Sequence, residues 1–138
     1  MKFILDTDVV SQLSKERPNG AVLRWIKQQD DADLYLCAAT LAEIRFGIEL
    51  VDAGRRREGL DDWLVKKLPE KFFGRILPIE RHAADLAGRI LARSRQEGWD
   101  VKAMDAFIAA TAMVNDMGLA TLNRKHFEKL RVELVDFG

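Results

Sequence analysis

The order of elements along this chain predicts an α/β fold: a mainly parallel, five-stranded sheet flanked by helices. Three observations carry the prediction. Short apolar runs of strand length alternate with helix-period segments through the 138 residues, the pattern of a parallel sheet covered on both faces. The run Phe3-Ile4-Leu5 ends abruptly on Asp6, as a buried strand does when it delivers a polar group to the sheet's edge. The segment from about Val101 to Met117 is apolar nearly all round, which marks a buried central helix.

The elements follow in order. Residues 2–5 form the first strand, and Thr7 or Asp8 caps a helix from about Val9 to Lys15. Pro18-Asn19-Gly20 is a turn signal. It precedes a helix with Val22, Trp25 and Ile26 at helical spacing, ending near Gln29. Leu34 to Ala38 is the second strand. Thr40-Leu41-Ala42-Glu43 opens a helix that runs to about Val51 and is ended by Gly54. A further helix from about Glu58 to Leu68 is stopped by Pro69, making a helical hairpin joined at 52–57. Ile76-Leu77-Pro78-Ile79 is a short strand whose proline places it at a sheet edge. Arg81 to Glu97 is a helix with Ala83, Leu86, Ala87, Ile90 and Leu91 on one face, and Gly98 is its C-terminal cap. Asp100 caps the apolar helix, and Gly118 closes it. Leu119 to Thr121 is the fourth strand, Arg124 to Leu130 a helical turn, and Val132 to Val135 the fifth strand.

The chain reads as one domain, residues 1–138, without repeat, low-complexity tract or linker. Its 22 basic and 22 acidic residues cancel, which argues against a protein that grips nucleic acid by bulk charge, while leaving room for local basic patches. The single cysteine, Cys37, allows no intramolecular disulfide, as in a reducing compartment. Asp6 interrupts any leader-like apolar run, and no stretch approaches the roughly 20 apolar residues of a membrane helix. A cytoplasmic, soluble protein with no membrane partner is expected.

The informative residues are acids among apolar neighbours. Asp6 follows Phe3-Ile4-Leu5, Asp105 lies inside the most apolar helix, and Glu43 sits in the first turn after strand two. All three fall near the carboxyl ends of strands, where ligands bind in open α/β sheets. Carboxylates brought together there repel unless a cation joins them or one keeps its proton, and oxygen donors of this kind suit Mg²⁺ or Mn²⁺. Taken singly, each acid has a plainer role: Asp6 as a helix cap, Glu43 in a T-x-x-E capping box with Thr40, and Asp105 as the buried partner of a basic side chain. Asp85 and Asp116 belong to solvated faces.

The segments FILDTDVVSQL, TLAEIRFGIEL, MDAFIAATA and LATLNRKHF resemble, in order and spacing, the PIN-domain ribonucleases. They are most similar to the VapC toxins of bacterial toxin–antitoxin pairs, in the branch similar to FitB. The resemblance implies a five-stranded parallel sheet between helices and metal-dependent hydrolysis of RNA. It places metal-binding, catalytic acids at Asp6, Glu43 and Asp105, and gives the fourth catalytic position to Asn123. His126 stands where many relatives have a further Asp, and Asp8 where they commonly have Asn. It implies Mg²⁺ (or Mn²⁺), an RNA substrate, a homodimer, and a VapB-type antitoxin that docks on exposed apolar residues such as Phe46, Leu50 or Trp63. Thr7, Asp8, Ser11 and Thr121 are candidates for a supporting shell, and Arg124 and Lys125 for substrate contact, with Arg55-Arg56-Arg57, Lys66 and Lys67 as further basic groups. Two other classes fit parts of this pattern. One is a PIN-fold binding module with weak catalysis; the other is an aspartyl-phosphate phosphatase using Asp6 and Asp8.

Overall fold

The computed structural model describes residues 1–138. The first strand, β1 (Phe3–Leu5), leads directly into a short helix, α1 (Thr7–Val10), continued by a 3-10 turn at Ser11–Ser14. Asp6 is the cap of α1, and the predicted caps Thr7 and Asp8 lie inside its first turn. Helix α2 (Gly20–Gln28) is capped by Asn19, whose side chain accepts from Val22 N–H. Strand β2 (Leu34–Cys37) is followed without a loop by α3 (Ala38–Glu49). Helix α3 starts one turn ahead of the predicted opening, with Cys37 as its cap. Thr40 is therefore inside the helix, and the expected capping box with Glu43 does not form.

The second arm of the helical hairpin differs from expectation. Gly54 caps α4 (Arg55–Asp62) rather than ending α3, and the helix runs on through a π-helical turn, Trp63–Lys67, into α5 (Leu68–Lys71). Pro69 does not stop it. The turn ahead of the proline is widened, with Leu68 N–H bonding Trp63 C=O. Such a widening relaxes the clash and the missing donor that make proline a helix breaker. Strand β3 (Ile76–Leu77) is a two-residue edge, as its proline predicts.

Helix α6 (Arg81–Glu97) has the predicted bounds, capped by Glu80 and ended by Gly98 at φ 77°. Glycine takes this left-handed conformation without steric cost. Helix α7 (Ala103–Val114) begins after Lys102, so Asp100 is exposed and caps nothing. Strand β4 (Gly118–Ala120) starts on the glycine expected to close that helix. A Cβ at Gly118 would stand 2.8 Å from the ring of Phe3, so only glycine lets β4 lie against β1 there.

The sheet has four parallel strands in the order β3-β2-β1-β4, not five. The segment expected as the fifth makes one parallel bridge, Leu119 to Leu134. The reason is local. Leu119 exchanges bonds with Glu133 and Val135, whereas Met117 N–H turns back to Ala112 and Thr121 belongs to the site described below. Strand β4 thus offers one outward residue to pair.

Two cores flank the sheet. Ile4, Leu119, Ala83, Ala87, Ile90, Ala106, Ile108 and Ala109 pack on one face, under α6 and α7. Leu5, Leu36, Ala120, Val9, Ile44, Leu64 and Phe72 pack on the other. Neighbouring residues of β1 and of β4 go to opposite cores, as the two-residue period of a strand dictates. Burying Ile4, Leu5 and Leu119 completely is worth about 1.5–3 kcal/mol each. That stabilisation anchors the central strand whose last bond, Asp6 N–H to Ala120 C=O at 2.8 Å, delivers a carboxylate to the sheet's edge.

Candidate metal centre

Asp6, Glu43 and Asp105 reach this edge from three elements. Asp6 follows the central strand, Glu43 stands on α3 just after β2, and Asp105 is in the first turn of α7. One carboxylate oxygen from each lies within 4.8 Å of the others. A helix N-terminus favours a negative group, which helps explain how Asp105 is held in so apolar a helix.

Every acid has a donor of its own. Asp6 is 4% exposed. Its Oδ1 accepts from Thr7 N–H at 2.8 Å and its Oδ2 from the Thr121 hydroxyl at 2.7 Å. Asp6 thus caps α1 through Oδ1, while Oδ2 is held by Thr121. The Thr7 hydroxyl donates to Glu43 Oε1 at 2.5 Å and lies 3.5 Å from the buried hydroxyl of Thr40. Asp105 is not paired with lysine or arginine; Oδ2 meets Nδ1 of His126 at 3.1 Å. Thr40 and His126 are the members the sequence marks least. Their partners lie 33 and 21 residues away, beyond any local spacing rule.

Asp8 stands beside the three acids with both oxygens engaged. Leu122 N–H donates to Oδ1 at 3.2 Å and the Asn123 amide to Oδ2 at 2.9 Å. Asn123 is therefore tied to Asp8, while His126 takes the position next to Asp105. Asp6 is thus engaged by Thr7 and Thr121, and Asp8 by the loop after β4. Ser11 lies one turn beyond Thr7 and bonds none of the acids, its carbonyl accepting from Ser14. Arg124 holds the C-terminal segment by donating to Val135 C=O at 2.6 Å, and Lys125 is exposed without an ion pair.

The electrostatics are those of crowded acids. Burial first, then the charge of Asp8, push the Asp6 carboxyl up to about 7; the bonds from Thr121 and Thr7 oppose this, and Asp105 adds to it. Burial also raises Asp8, opposed by the Leu122 bond and reinforced by Asp105 and Glu43. A cluster that resists its own ionisation, yet supplies oriented oxygens from three elements, fits a small hard cation.

Residues 3–133 match the PIN domain family. The chain is 35% identical over 134 residues to the VapC ribonuclease Y4jK of Sinorhizobium fredii, covering 97% of this chain and 96% of that protein. It is 33% identical over 125 residues to the toxin FitB of Neisseria gonorrhoeae, covering 91% and 90%. The crystal structure of FitAcB from Neisseria gonorrhoeae superposes with a TM-score of 0.88 at 31% identity, covering 98% of this chain and 97% of that one.

Proposed function

The chain belongs to the PIN-domain family, and from that premise we propose that it is a metal-dependent ribonuclease that hydrolyses RNA phosphodiester bonds as the toxin of a toxin–antitoxin pair. The observation that carries this is the convergence of Asp6, Glu43 and Asp105 oxygens within 4.8 Å, each carboxylate held by its own donor.

Asp6, Glu43 and Asp105 would hold the ion, Mg²⁺ or Mn²⁺ by the chemistry of the donors. When bound, a divalent ion supplies Lewis-acid polarisation of the scissile phosphate and activation of water. The chain's own residues supply the orientation. Thr121 and Thr7 N–H fix the two oxygens of Asp6, the Thr7 hydroxyl fixes Glu43, and His126 fixes Asp105. Partners of this kind set the direction and basicity of metal-binding groups. Asp8 and Asn123 lock the loop after β4 against α1, which keeps Thr121 in place.

The antitoxin, VapB-type by the family resemblance, docks in this proposal on α3. Phe46 and Leu50 are 68% and 70% exposed, one helical turn apart. Phe46 lines a cavity of about 510 Å³ with Thr7, Ala42, Glu43 and Met104. A partner seated there reaches the acids directly, and a basic side chain from it would neutralise them. Trp63, the third expected docking residue, is half-buried elsewhere. A homodimer is part of the same proposal.

The test is a ribonuclease assay on purified protein with Mg²⁺ or Mn²⁺, beside Asp6→Asn and Asp105→Asn. Hydrolysis that needs the ion and disappears in both variants is expected. Equal activity in all three proteins overturns the reading.

A further inference from the structure

A group of unpaired basic residues lies away from the basic motif beside Asn123. A cleft of about 810 Å³ opens between the 3-10 turn after α1 and the α4–π-helical arm. Lys15, Arg55, Arg56 and Lys67 line it, with the indole of Trp63 in its wall and Ser11 at one end; Glu16 is its one acid. Lys15, Arg55 and Arg56 make no ion pair, whereas the neighbouring Arg57 is taken up by Glu49 and Lys67 reaches Asp62 only at 4.0 Å. Three unpaired cations gathered in one cleft, on a chain of zero net charge, mark a site for a polyanion.

We propose that this cleft is the channel for the single-stranded RNA on one side of the cut, with Lys15, Arg55 and Arg56 on its phosphates and Trp63 as a stacking surface. The inference rests on the ribonuclease reading and names the substrate path of the same site. A cationic groove with an aromatic platform is the general way to hold single strands without reading sequence. The position fits as well. Ser11 N–H bonds Thr7 C=O, so the cleft begins one helical turn, about 5 Å, from the residue that orients Glu43. Thr7 borders the acids and Ser11 the cleft, so one turn of α1 carries the chain from one to the other. An acidic protein would use the charges but has no need of the indole or of this proximity.

The experiment has two arms, both on the full chain carrying Asp6→Asn to prevent cleavage, with a labelled single-stranded RNA of about 12 nucleotides. In the first, binding is measured across a salt series for this protein and for one also carrying Arg55→Gln and Arg56→Gln. The slope of log K against log salt should shrink by about 0.7 for each phosphate that is no longer neutralised, with weaker binding at low salt. Unchanged slope and affinity overturn the proposal. The second arm does not depend on the Arg55→Gln and Arg56→Gln substitutions: lysine reactivity is mapped with and without RNA. Lys15 and Lys67 should be protected, and Lys27, on the exposed side of α2, should not. Protection of Lys15 by self-association in the absence of RNA assigns the cleft to a protein interface and overturns the proposal. RNA hydrolysis by the unmodified chain with no protection in the cleft defeats the channel alone. Protection by RNA, with no hydrolysis by the unmodified chain in Mg²⁺ or Mn²⁺, supports the channel and defeats the ribonuclease reading.

Discussion

Thr7 of the acidic centre and Ser11 of the basic cleft are one helical turn apart, yet the two regions are built on opposite principles. At the centre, Asp6 and Asp105 are nearly out of water and Asp6, Glu43 and Asp105 are all bonded to named partners. In the cleft, Lys15, Arg55 and Arg56 are exposed and bonded to nothing charged. Burial turns charge into a shifted proton affinity, as in Asp6; exposure leaves charge at its ordinary strength, free to follow a flexible strand. In the proposed function, chemistry that tolerates little misplacement falls to the fixed groups, and grip to the exposed ones. A net charge of zero therefore conceals two opposite fields rather than reporting their absence.

The sharpest way to break this contrast is at Asp6. Asp6→Asn should lower RNA hydrolysis by about 10³-fold or more. In the metal-free protein it should leave the melting temperature at pH 8 unchanged or higher, because a repelled charge is gone. A loss of both activity and stability, read by kinetics and calorimetry, would make Asp6 a structural rather than a chemical residue.

Thr121→Val tests whether the fixed geometry matters. Removing the hydroxyl that holds Asp6 should weaken Mn²⁺ binding roughly 10–100-fold, the usual effect of losing a supporting partner. Titration calorimetry reads it, and unaltered affinity would show that burial alone orients Asp6.

The pH dependence separates the two regions further. The folded value for Asp6, about 7, lies above its ordinary 3.8. Between these values the unfolded chain has given up a proton that the folded chain keeps. The contribution of this group to stability is thus full below 3.8 and is lost as pH rises to about 7. Metal-free protein should melt several degrees lower at pH 7.5 than at pH 5 on this account, and added Mg²⁺ should recover more at pH 7.5. A flat profile would mean the site holds its charges without strain.

The smallest effect belongs to the exposed charges. Breaking the Arg57–Glu49 pair, 3.0 Å apart with side chains 35% and 53% exposed, by Arg57→Gln should cost less than about 1 kcal/mol in denaturant unfolding. A larger loss would mean the hairpin tip is held by charge.

Much of the fold is readable locally. Helix α6 matches its predicted bounds because Glu80 and Gly98 act on adjacent backbone. Helix α7 declares its burial in composition. The misses share a cause: they depend on what another part of the chain does. Pro69 ends no helix because the preceding turn widens. Thr40 caps nothing because β2 runs straight into α3. The fifth strand shrinks to Leu134 because β4 has one outward residue to offer.

The site divides in the same way. The chain by itself singled out the acids that converge, since a carboxylate is costly among apolar neighbours wherever the fold puts it, and Asp6, Glu43 and Asp105 stand out on that ground. It also determined that β1 would carry the first of them to the sheet's edge. Only the tertiary structure decided the partners. Thr121 and Asp6 are 115 residues apart, Thr7 and Glu43 36, and His126 and Asp105 21. A hydrogen bond is made or lost within a few tenths of an ångström, and over such separations that precision is set by how the strands and helices pack, not by any pattern in the order of residues.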